Sequence, residues 1–316
     1  MRLYNNMTCN NVENLKLMIE HASQVLSQEW NENPKLDAMI LLAYAIGMYD
    51  YTEMFMCKFD KMNLPDDYVT QFESYINRRK LGEPIAYILN RKSFWKNDFY
   101  VNYDVLIPRP ETEFLVEYVA KNAILMQERG IICDRCDILE LGVGSGCVLI
   151  SILNELRTVA LQKARVVSHG VGIDISDVAL RVAKRNAENI LSSMQDITFL
   201  RGNWFDAKML HRKFDFVISN PPYIPFSEWH VLSKEVKDFE PRISLTDMQD
   251  GLDAYRVISA NAKQFLKDKG LVVVEVGYDK ANAVISIFQN AGFKVKDIVM
   301  DLCNIERVVS FTSVDN

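Results

Sequence analysis

No apolar run in this 316-residue sequence is long enough to cross a bilayer. The longest, Ala38 to Tyr49, is flanked by Asp37 and Asp50 and reads as a core helix. The first residues, Met1-Arg2-Leu3-Tyr4-Asn5-Asn6, lack the apolar core of a secretory signal. An excess of positive charge is missing too: Lys and Arg total 36 against 42 Asp and Glu, a net charge of −6. No global basic field draws in a nucleic-acid backbone, which weakens the case for a DNA or RNA substrate. Metal-ligand spacing is almost absent. Of six cysteines, only Cys133 and Cys136 stand at redox or zinc spacing, with no second pair and no histidine near them in sequence. Coincidence is the simpler reading of that pair, and no metal is expected. Without a secretory signal, reduced thiols in a cytoplasm are the default. Internal repeats and low-complexity tracts are lacking as well. With 49% hydrophobic residues, the chain reads as globular and long enough for two domains, with no membrane partner and no direct nucleic-acid partner.

Leu15, Met18, Ile19, Ala22, Val25 and Leu26 recur at helical spacing and predict a first amphipathic helix. Pro34 opens a second, through Leu36, Met39, Ile40, Ala43 and Ile46, which closes at Gly47. A short third helix is expected around Thr52–Cys57 and a fourth from Pro65 to Lys80. Gly82-Glu83-Pro84 breaks the pattern. Two aromatic runs, Ser93-Phe94-Trp95 and Phe99-Tyr100-Val101, then predict a hairpin turning at Lys96-Asn97-Asp98. Pro110 suits a helix start, Glu111 and Glu113 complement its positive end, and the helix is expected to reach Gln127.

Beyond that point apolar strands alternate with helices. Strands are expected at Ile138–Leu141, Gly170–Ile175, Ile197–Leu200, Phe214–Ser219 and Leu271–Val276. Helices are expected at Cys147–Leu156, Val178–Ile190, Asp253–Phe265 and Ala281–Ala291. Phe293–Val299 and Val308–Thr312 complete the chain as a hairpin. The alternation predicts an α/β fold, a mostly parallel seven-stranded sheet with helices on both faces and a late antiparallel hairpin. The expected organisation is a helical bundle over residues 1–84, a linking β-hairpin over 85–109 and an α/β domain over 110–316.

Asn220-Pro221-Pro222-Tyr223, which follows the apolar run Phe214–Ser219, is the most informative stretch. A buried strand of this kind ends at the carboxyl edge of an open α/β sheet, where ligands bind. Two prolines stop the strand and remove two N–H donors. The carbonyls of Asn220 and Pro221, with the Asn220 side-chain oxygen, are left as acceptors. Such a set suits a planar –NH2 group, which has two N–H bonds to give and a nitrogen to be attacked. An ordinary strand-end turn is the plain alternative, since Asn-Pro is a common loop dipeptide.

Residues upstream favour the ligand site. Ile138–Leu141 runs into Gly142-Val143-Gly144-Ser145-Gly146, a turn whose glycines let the backbone bend tightly and approach a ligand. Its Gly-x-Gly-x-Gly spacing differs from the Gly-x-Gly-x-x-Gly of a dinucleotide fingerprint. Glu140, just before it, suits an ammonium group better than a pyrophosphate. Asp174 ends Val171-Gly172-Ile173-Asp174, where an acid accepts both ribose hydroxyls of an adenosine. Trp204, in Arg201-Gly202-Asn203-Trp204-Phe205-Asp206, either lies against an adenine face or fills core. A nucleoside with an amino acid tail fits all of these features, and S-adenosylmethionine is such a molecule.

Glu140 to Gly146, Gly172-Ile173-Asp174 and Asn220-Pro221-Pro222-Tyr223 together resemble the class I methyltransferases that modify amide or amino nitrogens. More narrowly, the chain resembles the HemK/PrmC family, the peptide-chain release factor glutamine methyltransferases. The narrower likeness rests on Gly82-Glu83-Pro84-Ile85-Ala86-Tyr87-Ile88, on Phe94-Trp95 and on Asp104 to Glu113. It continues in Phe239-Glu240-Pro241-Arg242, Asp250-Gly251-Leu252-Asp253-Ala254-Tyr255 and Glu306-Arg307-Val308-Val309. Upstream of Gly82 it thins to Leu36-Asp37-Ala38 and Leu41-Leu42-Ala43. Val143 stands where the family often has Thr, and Thr246-Asp247-Met248-Gln249 replaces a usually glycine-rich turn.

The resemblance implies a Rossmann-like class I methyltransferase domain that uses S-adenosylmethionine and releases S-adenosylhomocysteine. It implies as substrate the glutamine of the Gly-Gly-Gln loop of release factors, methylated at its side-chain N5 nitrogen. A cytoplasmic location and a role in translation termination follow from the same likeness. Residues 1–84 are expected to recognise the release factor, and a monomer is the expected state.

An amide nitrogen is a poor nucleophile because its lone pair is delocalised into the carbonyl. Positioning is therefore the lever, and alignment lowers a barrier by roughly 7–11 kcal/mol at its upper limit. Asn220 and Pro221 are the expected catalytic residues, accepting the two amide hydrogens, with Pro222 and Tyr223 packing on the flat amide. Cofactor contacts are expected from Gly142, Val143, Gly144, Ser145, Gly146, Asp174, Trp204 and Asn220. Arg109 to Glu113 either covers the site's mouth or begins a helix with acids, the second favoured for Glu113. Glu240-Pro241-Arg242 is either an ion pair beside the site or a substrate contact. An adenine-N6 DNA methyltransferase would use the same Asn-Pro-Pro-Tyr on another planar amine, but needs base flipping and a basic groove. Two further readings are a glutamine methyltransferase acting on another protein and a non-catalytic S-adenosylmethionine-binding scaffold.

Overall fold

A computed structural model of the chain describes residues 12–48, 65–133, 135–163, 167–191, 193–205 and 212–314. The chain divides into two compact units, Met1–Asn90 with Ser233–Phe239, and Arg91–Leu232 with Glu240–Asn316. In the first unit, helices α1 (Val12–Leu26), α2 (Pro34–Ala45) and α3 (Asp66–Lys80) bring their apolar stripes together. Met18, Ala22, Leu26, Leu41, Phe72 and Ile76 are buried between them. Pro34 starts α2 where a helix has no use for the missing N–H. Buried Arg79 donates to Asp37 at 2.7 Å, to Glu235 at 2.6 Å and to the Glu83 carbonyl at 3.0 Å. A buried guanidinium is tolerated only with pairing this complete. The helix expected around Thr52–Cys57 lies outside the described residues.

The second unit begins with a hairpin of β1 (Lys92–Phe94) and β2 (Asn97–Phe99). Both strands lie one to two residues earlier than the aromatic runs suggest. The turn falls at Trp95-Lys96, with Trp95 in the left-handed region at φ 54° and its N–H donated to Glu113 at 2.7 Å. Such a conformation usually calls for Gly or Asn, so a tryptophan there gives no turn signal. A short 3-10 turn, Pro110–Thr112, leads into α4 (Glu113–Glu128).

The main sheet and its helices follow in alternation: β3 (Arg135–Leu141), α5 (Cys147–Lys163), β4 (Val167–Asp174), α6 (Asp177–Ile190), β5 (Ile197–Arg201) and β6 (Phe214–Ser219). Then come α7 (Asp253–Asn261), β7 (Leu266–Glu275), α8 (Ala281–Asn290), β8 (Phe293–Met300) and β9 (Glu306–Ser313). Strand order is β5-β4-β3-β6-β7-β9-β8, parallel through β7, with β9 antiparallel to both neighbours. This is the class I methyltransferase architecture, the expected mostly parallel seven-stranded sheet with its late hairpin.

The inner strands are buried on both faces: β6 is buried along its whole length, β3 and β7 along most of theirs, and successive side chains point to opposite sides of the sheet. Ile138, Phe216, Ile218, Leu271 and Val273 face α4 and α5, in a core with Leu115, Val119 and Leu149. Leu139, Leu141, Val217, Val272 and Val274 face α7 and α8, in a core with Tyr255, Ile258 and Phe288. β7 starts five residues before the expected Leu271, since Leu266 already pairs with Phe214. The polar Lys267-Asp268-Lys269-Gly270 hides that start; Lys267 reaches Asp137 and Asp215 at 2.8 Å each. The helix expected over Asp253–Phe265 is α7 followed by a tighter 3-10 turn, Ala262–Phe265. Cys133 is exposed and Cys136 buried in the core, where burial pushes its thiol pKa up. Among the described residues, no helix is long and apolar enough to cross a membrane.

Candidate active site

β3 lies inside the sheet, with β4 and β5 on one side and β6 and β7 on the other. The loops leaving β3, β4 and β6 therefore diverge at the carboxyl edge, and a crevice opens there. A cavity of about 700 Å³ fills it, a size suited to a small organic ligand. Gly142, Gly144, Asp174, Trp204, Asn220 and Pro222 all line it.

Gly142 and Gly144 adopt φ of 74° and 52°, and no atom lies within 4 Å of where a Cβ would stand on either. A ligand can thus approach bare backbone at both positions. The rest of the turn points elsewhere. Val143 packs over Gly172, Ser145 is buried, and a Cβ on Gly146 would come 2.6 Å from Ile150 Cδ1. Two residues that the sequence does not flag hold this turn in shape. Asn186 Nδ2 donates to the Ser145 carbonyl at 2.9 Å, and Ser219 Oγ donates to the Leu141 carbonyl at 2.8 Å.

Glu140 corrects the sequence reading, since it does not line the cavity. Its carboxylate accepts the Leu149 N–H at 3.1 Å, in the first turn of α5, and burial raises its pKa well above the carboxylate range. The positive partner is a helix N-terminus rather than a ligand ammonium. Asp174 does face the cavity. Its Oδ2 accepts the Gly144 N–H and its Oδ1 the Ser176 N–H, both at 2.9 Å. Burial raises its pKa, and these backbone bonds oppose the rise. Each oxygen keeps a lone pair for a further donor.

Trp204 and Met248 line the cavity with left-handed backbones, φ 53° and 67°. Strain of this sort in non-glycine residues gathers at functional sites. Trp204 also packs against the core below it, so one residue both fills core and lines the cavity. Asn220 Nδ2 donates to Thr112 Oγ1 at 3.1 Å, which leaves Oδ1 as the acceptor end of the amide. Pro221 is buried behind it. The Tyr223 ring is seated on Gly277, where a Cβ would come within 2.7 Å of it. Burial pushes the Tyr223 phenol pKa up.

The following loop is latched to this tetrapeptide. Ile224 N–H donates to the Leu245 carbonyl at 3.0 Å and Phe226 N–H to the Gln249 carbonyl at 2.9 Å. Gly251 sits at φ 77°, and a Cβ there would stand 2.3 Å from the Tyr223 carbonyl oxygen. Gly251→Ala is expected to destabilise the fold by about 1–3 kcal/mol for the left-handed backbone alone. That lowers Tm by roughly 2–12 °C in a thermal melt; a wild-type Tm would mean the loop moves aside freely. Buried Glu240 pairs with Arg109 and accepts the Ile107 N–H at 3.1 Å, so the structural ion pair is the arrangement found. Arg242 lines the cavity and lies over Phe226 and Trp229, 5.3 and 5.0 Å from the ring centroids. Asp247, Asp250 and Asp253 bring three carboxylates together. Arg256 and the N–H groups of Gln249, Gly251, Leu252 and Asp253 engage them.

Similarity to known proteins agrees with this geometry. A family model described as the PrmC N-terminal domain matches residues 18–89, and a methyltransferase domain model matches residues 132–297. A bifunctional methyltransferase of Rickettsia prowazekii is 36% identical over 313 residues, covering 95% of this chain and 58% of that protein. The chain thus spans 58% of the length of that bifunctional relative. A release factor glutamine methyltransferase of Caulobacter vibrioides is 37% identical over 278 residues, covering 88% of this chain and 89% of its own length. The corresponding protein of Neisseria gonorrhoeae is 35% identical over 284 residues, with coverage of 89% and 95%. On identity sustained over nearly the full length of these two relatives, the chain belongs to the release factor glutamine methyltransferase family of S-adenosylmethionine-dependent enzymes.

Proposed function

We propose that the chain methylates the N5 side-chain amide nitrogen of the glutamine in the Gly-Gly-Gln motif of peptide chain release factors, in the cytoplasm. The observation that carries this reading is Asn220. Its amide is held by the nitrogen, 3.1 Å from Thr112 Oγ1, with the oxygen left to accept at a cavity that Gly142, Gly144 and Asp174 also line.

The residues present fit S-adenosylmethionine. Open space over Gly142 and Gly144 takes an amino acid tail against bare backbone, and the remaining lone pairs of Asp174 suit two ribose hydroxyls. Trp204 offers a flat apolar wall to an adenine. Val143, Ser145 and Gly146 act by keeping the turn's shape. When bound, this cofactor supplies an electrophilic methyl group on sulfur and is released as S-adenosylhomocysteine. Asn220 Oδ1 and the Pro221 carbonyl accept the two hydrogens of the substrate amide. That holds the nitrogen in place and stabilises positive charge developing on it. Pro222 walls one side of the substrate, and Tyr223, seated on Gly277, braces the tetrapeptide. No strong base is required. Residues 1–84 recognise the release factor, a role supported by the PrmC N-terminal domain match over 18–89.

Incubation with radiolabelled S-adenosylmethionine and a purified release factor tests the proposal, beside a Gln→Ala variant of its Gly-Gly-Gln loop and duplex DNA. Label on the unaltered release factor alone is expected. Label on DNA would replace this reading with adenine methylation, and label on neither would reject release factors as the substrate.

A further inference from the structure

A second cavity, of about 330 Å³, lies between the end of α4 and the strands β7, β8 and β9. None of its lining residues lines the cavity at the carboxyl edge of the sheet. Met126, Ile131 and Leu271 supply apolar surface, and three cations, Arg129, Lys269 and Lys296, join them. In a chain of net charge −6, three cations at one cavity run against the overall sign. Among the described residues none of the three makes an ion pair. Arg129 follows α4 and complements the negative end of that helix. The two lysines have no such account. Lys296 Nζ reaches the neutral Asn122 Oδ1 at 3.4 Å, and Asp297, the acid beside it, accepts the Tyr118 hydroxyl at 2.6 Å.

Irregular backbone brings both lysines to this place. Phe214 of β6 pairs with Leu266 and Phe216 with Leu271, so Asp215 is set against Lys267 to Gly270 of β7. Lys269 lies in that bulge, in the left-handed region at φ 62°, a conformation uncommon outside glycine. In β8, Val295 pairs with Phe311 and Asp297 with Ser310, which leaves Lys296 as the extra residue. Bulges re-aim side chains and are over-represented beside functional sites. Here two of them, in the strands on either side of β9, each bring a lysine to one cavity. Burial, with Arg129 adding to it, lowers the Lys296 pKa even though Asp297 opposes the change. A bound anion would offset that crowding of positive charge.

We propose that this cavity is a second binding site, which takes a small organic anion: a carboxylate or phosphate carried on a short apolar body. The Arg129 guanidinium matches either group with paired N–H bonds, and the two ammonium groups act as point charges. Met126, 5% exposed, and Leu271, 1% exposed, form an apolar floor for the body. A volume at the lower end of the range for ligand cavities limits that body to about one ring or a short chain. An inorganic ion leaves the floor uncovered, and a neutral molecule leaves the cations unanswered.

Met126 reports on occupancy. In the full chain its methyl signal, assigned by its loss in Met126→Leu, is followed by NMR against phenyl phosphate, benzoate, inorganic phosphate and benzyl alcohol. Saturable shifts are expected from phenyl phosphate, benzoate or both, with Kd below about 5 mM, and the tighter of the two identifies the anionic group. Inorganic phosphate and benzyl alcohol should bind at least about tenfold more weakly. Lys296→Gln and Lys269→Asn should each weaken the anion about three- to tenfold, asparagine being a residue that tolerates the left-handed backbone. S-adenosylmethionine affinity, which reads the other cavity, should stay within about twofold in both variants. A Met126 signal that neither organic anion moves with Kd below about 5 mM would overturn the proposal, as would benzyl alcohol binding as tightly as the anions. So would anion binding indifferent to both lysine changes, or anion binding displaced by S-adenosylmethionine. Neither readout requires methyl transfer, so the outcome stands apart from the proposed substrate.

Discussion

Asn220→Ala is expected to lower turnover by roughly 10²–10³-fold, the effect of deleting one preorganised polar group from a charge-stabilising site. Cofactor affinity should remain within a few-fold of the wild type. The variant removes the side-chain oxygen while keeping the Pro221 carbonyl, so one of two acceptors for the substrate amide is lost. It also leaves the buried Thr112 hydroxyl without the donor that now reaches it at 3.1 Å. Asn220→Asp separates these losses. It keeps oxygen acceptors but removes the Nδ2 donor that reaches Thr112. Turnover is expected to fall in Asn220→Asp as well. Steady-state rates with a release factor, beside cofactor titration by calorimetry, check both variants. Unchanged turnover in Asn220→Ala would remove this residue from the proposed mechanism.

Asp174→Ala should act on the other half of the site, weakening S-adenosylmethionine binding by roughly 10–100-fold. Hydrogen bonds to a charged acceptor contribute about 1.5–3 kcal/mol each, and water recovers part of the loss. Turnover at saturating cofactor should fall much less. Asp174 has a second duty, because its Oδ2 also accepts the Gly144 N–H. Asp174→Asn, which can still accept that bond through its side-chain oxygen, should therefore lose less affinity than Asp174→Ala. The pH dependence has a definite sign. Burial raises the Asp174 pKa above its ordinary 3.8. Protonation removes acceptor capacity as pH falls through the raised value, so affinity should decline on the acid side sooner than for an exposed aspartate. Wild-type affinity in Asp174→Ala would end the ribose assignment.

Much of the sheet is legible in the chain because burial on both faces leaves a continuous apolar run. Phe214–Ser219 is expected and found with the same ends, and Ile197–Leu200 differs from β5 by a single residue. Where polar residues enter a strand the signal fades, as at the start of β7. It also fades where an uncommon residue makes a turn, as Trp95 does at φ 54°. Among the cavity residues, Gly142, Gly144, Asp174 and Asn220 stand out because their types suit ligand contact directly. Glu140 misleads for a physical reason. A carboxylate answers equally to a ligand ammonium and to a helix N-terminus, and the start of α5 lies nearer.

Sequence was enough to establish the alternation of strands and helices, the family, and the loops that meet at the carboxyl edge. These follow from side-chain period and from glycine and proline at fixed spacings, which act within a few residues. Which of those loop residues turn toward the cavity was left to the folded chain. Val143 and Ser145 face inward while Gly142 and Gly144 lie open. So was the orientation of the Asn220 amide, set by a hydroxyl 108 residues away in the chain. Polarity at a half-buried amide depends on the partners that folding brings to it, and no local pattern records them.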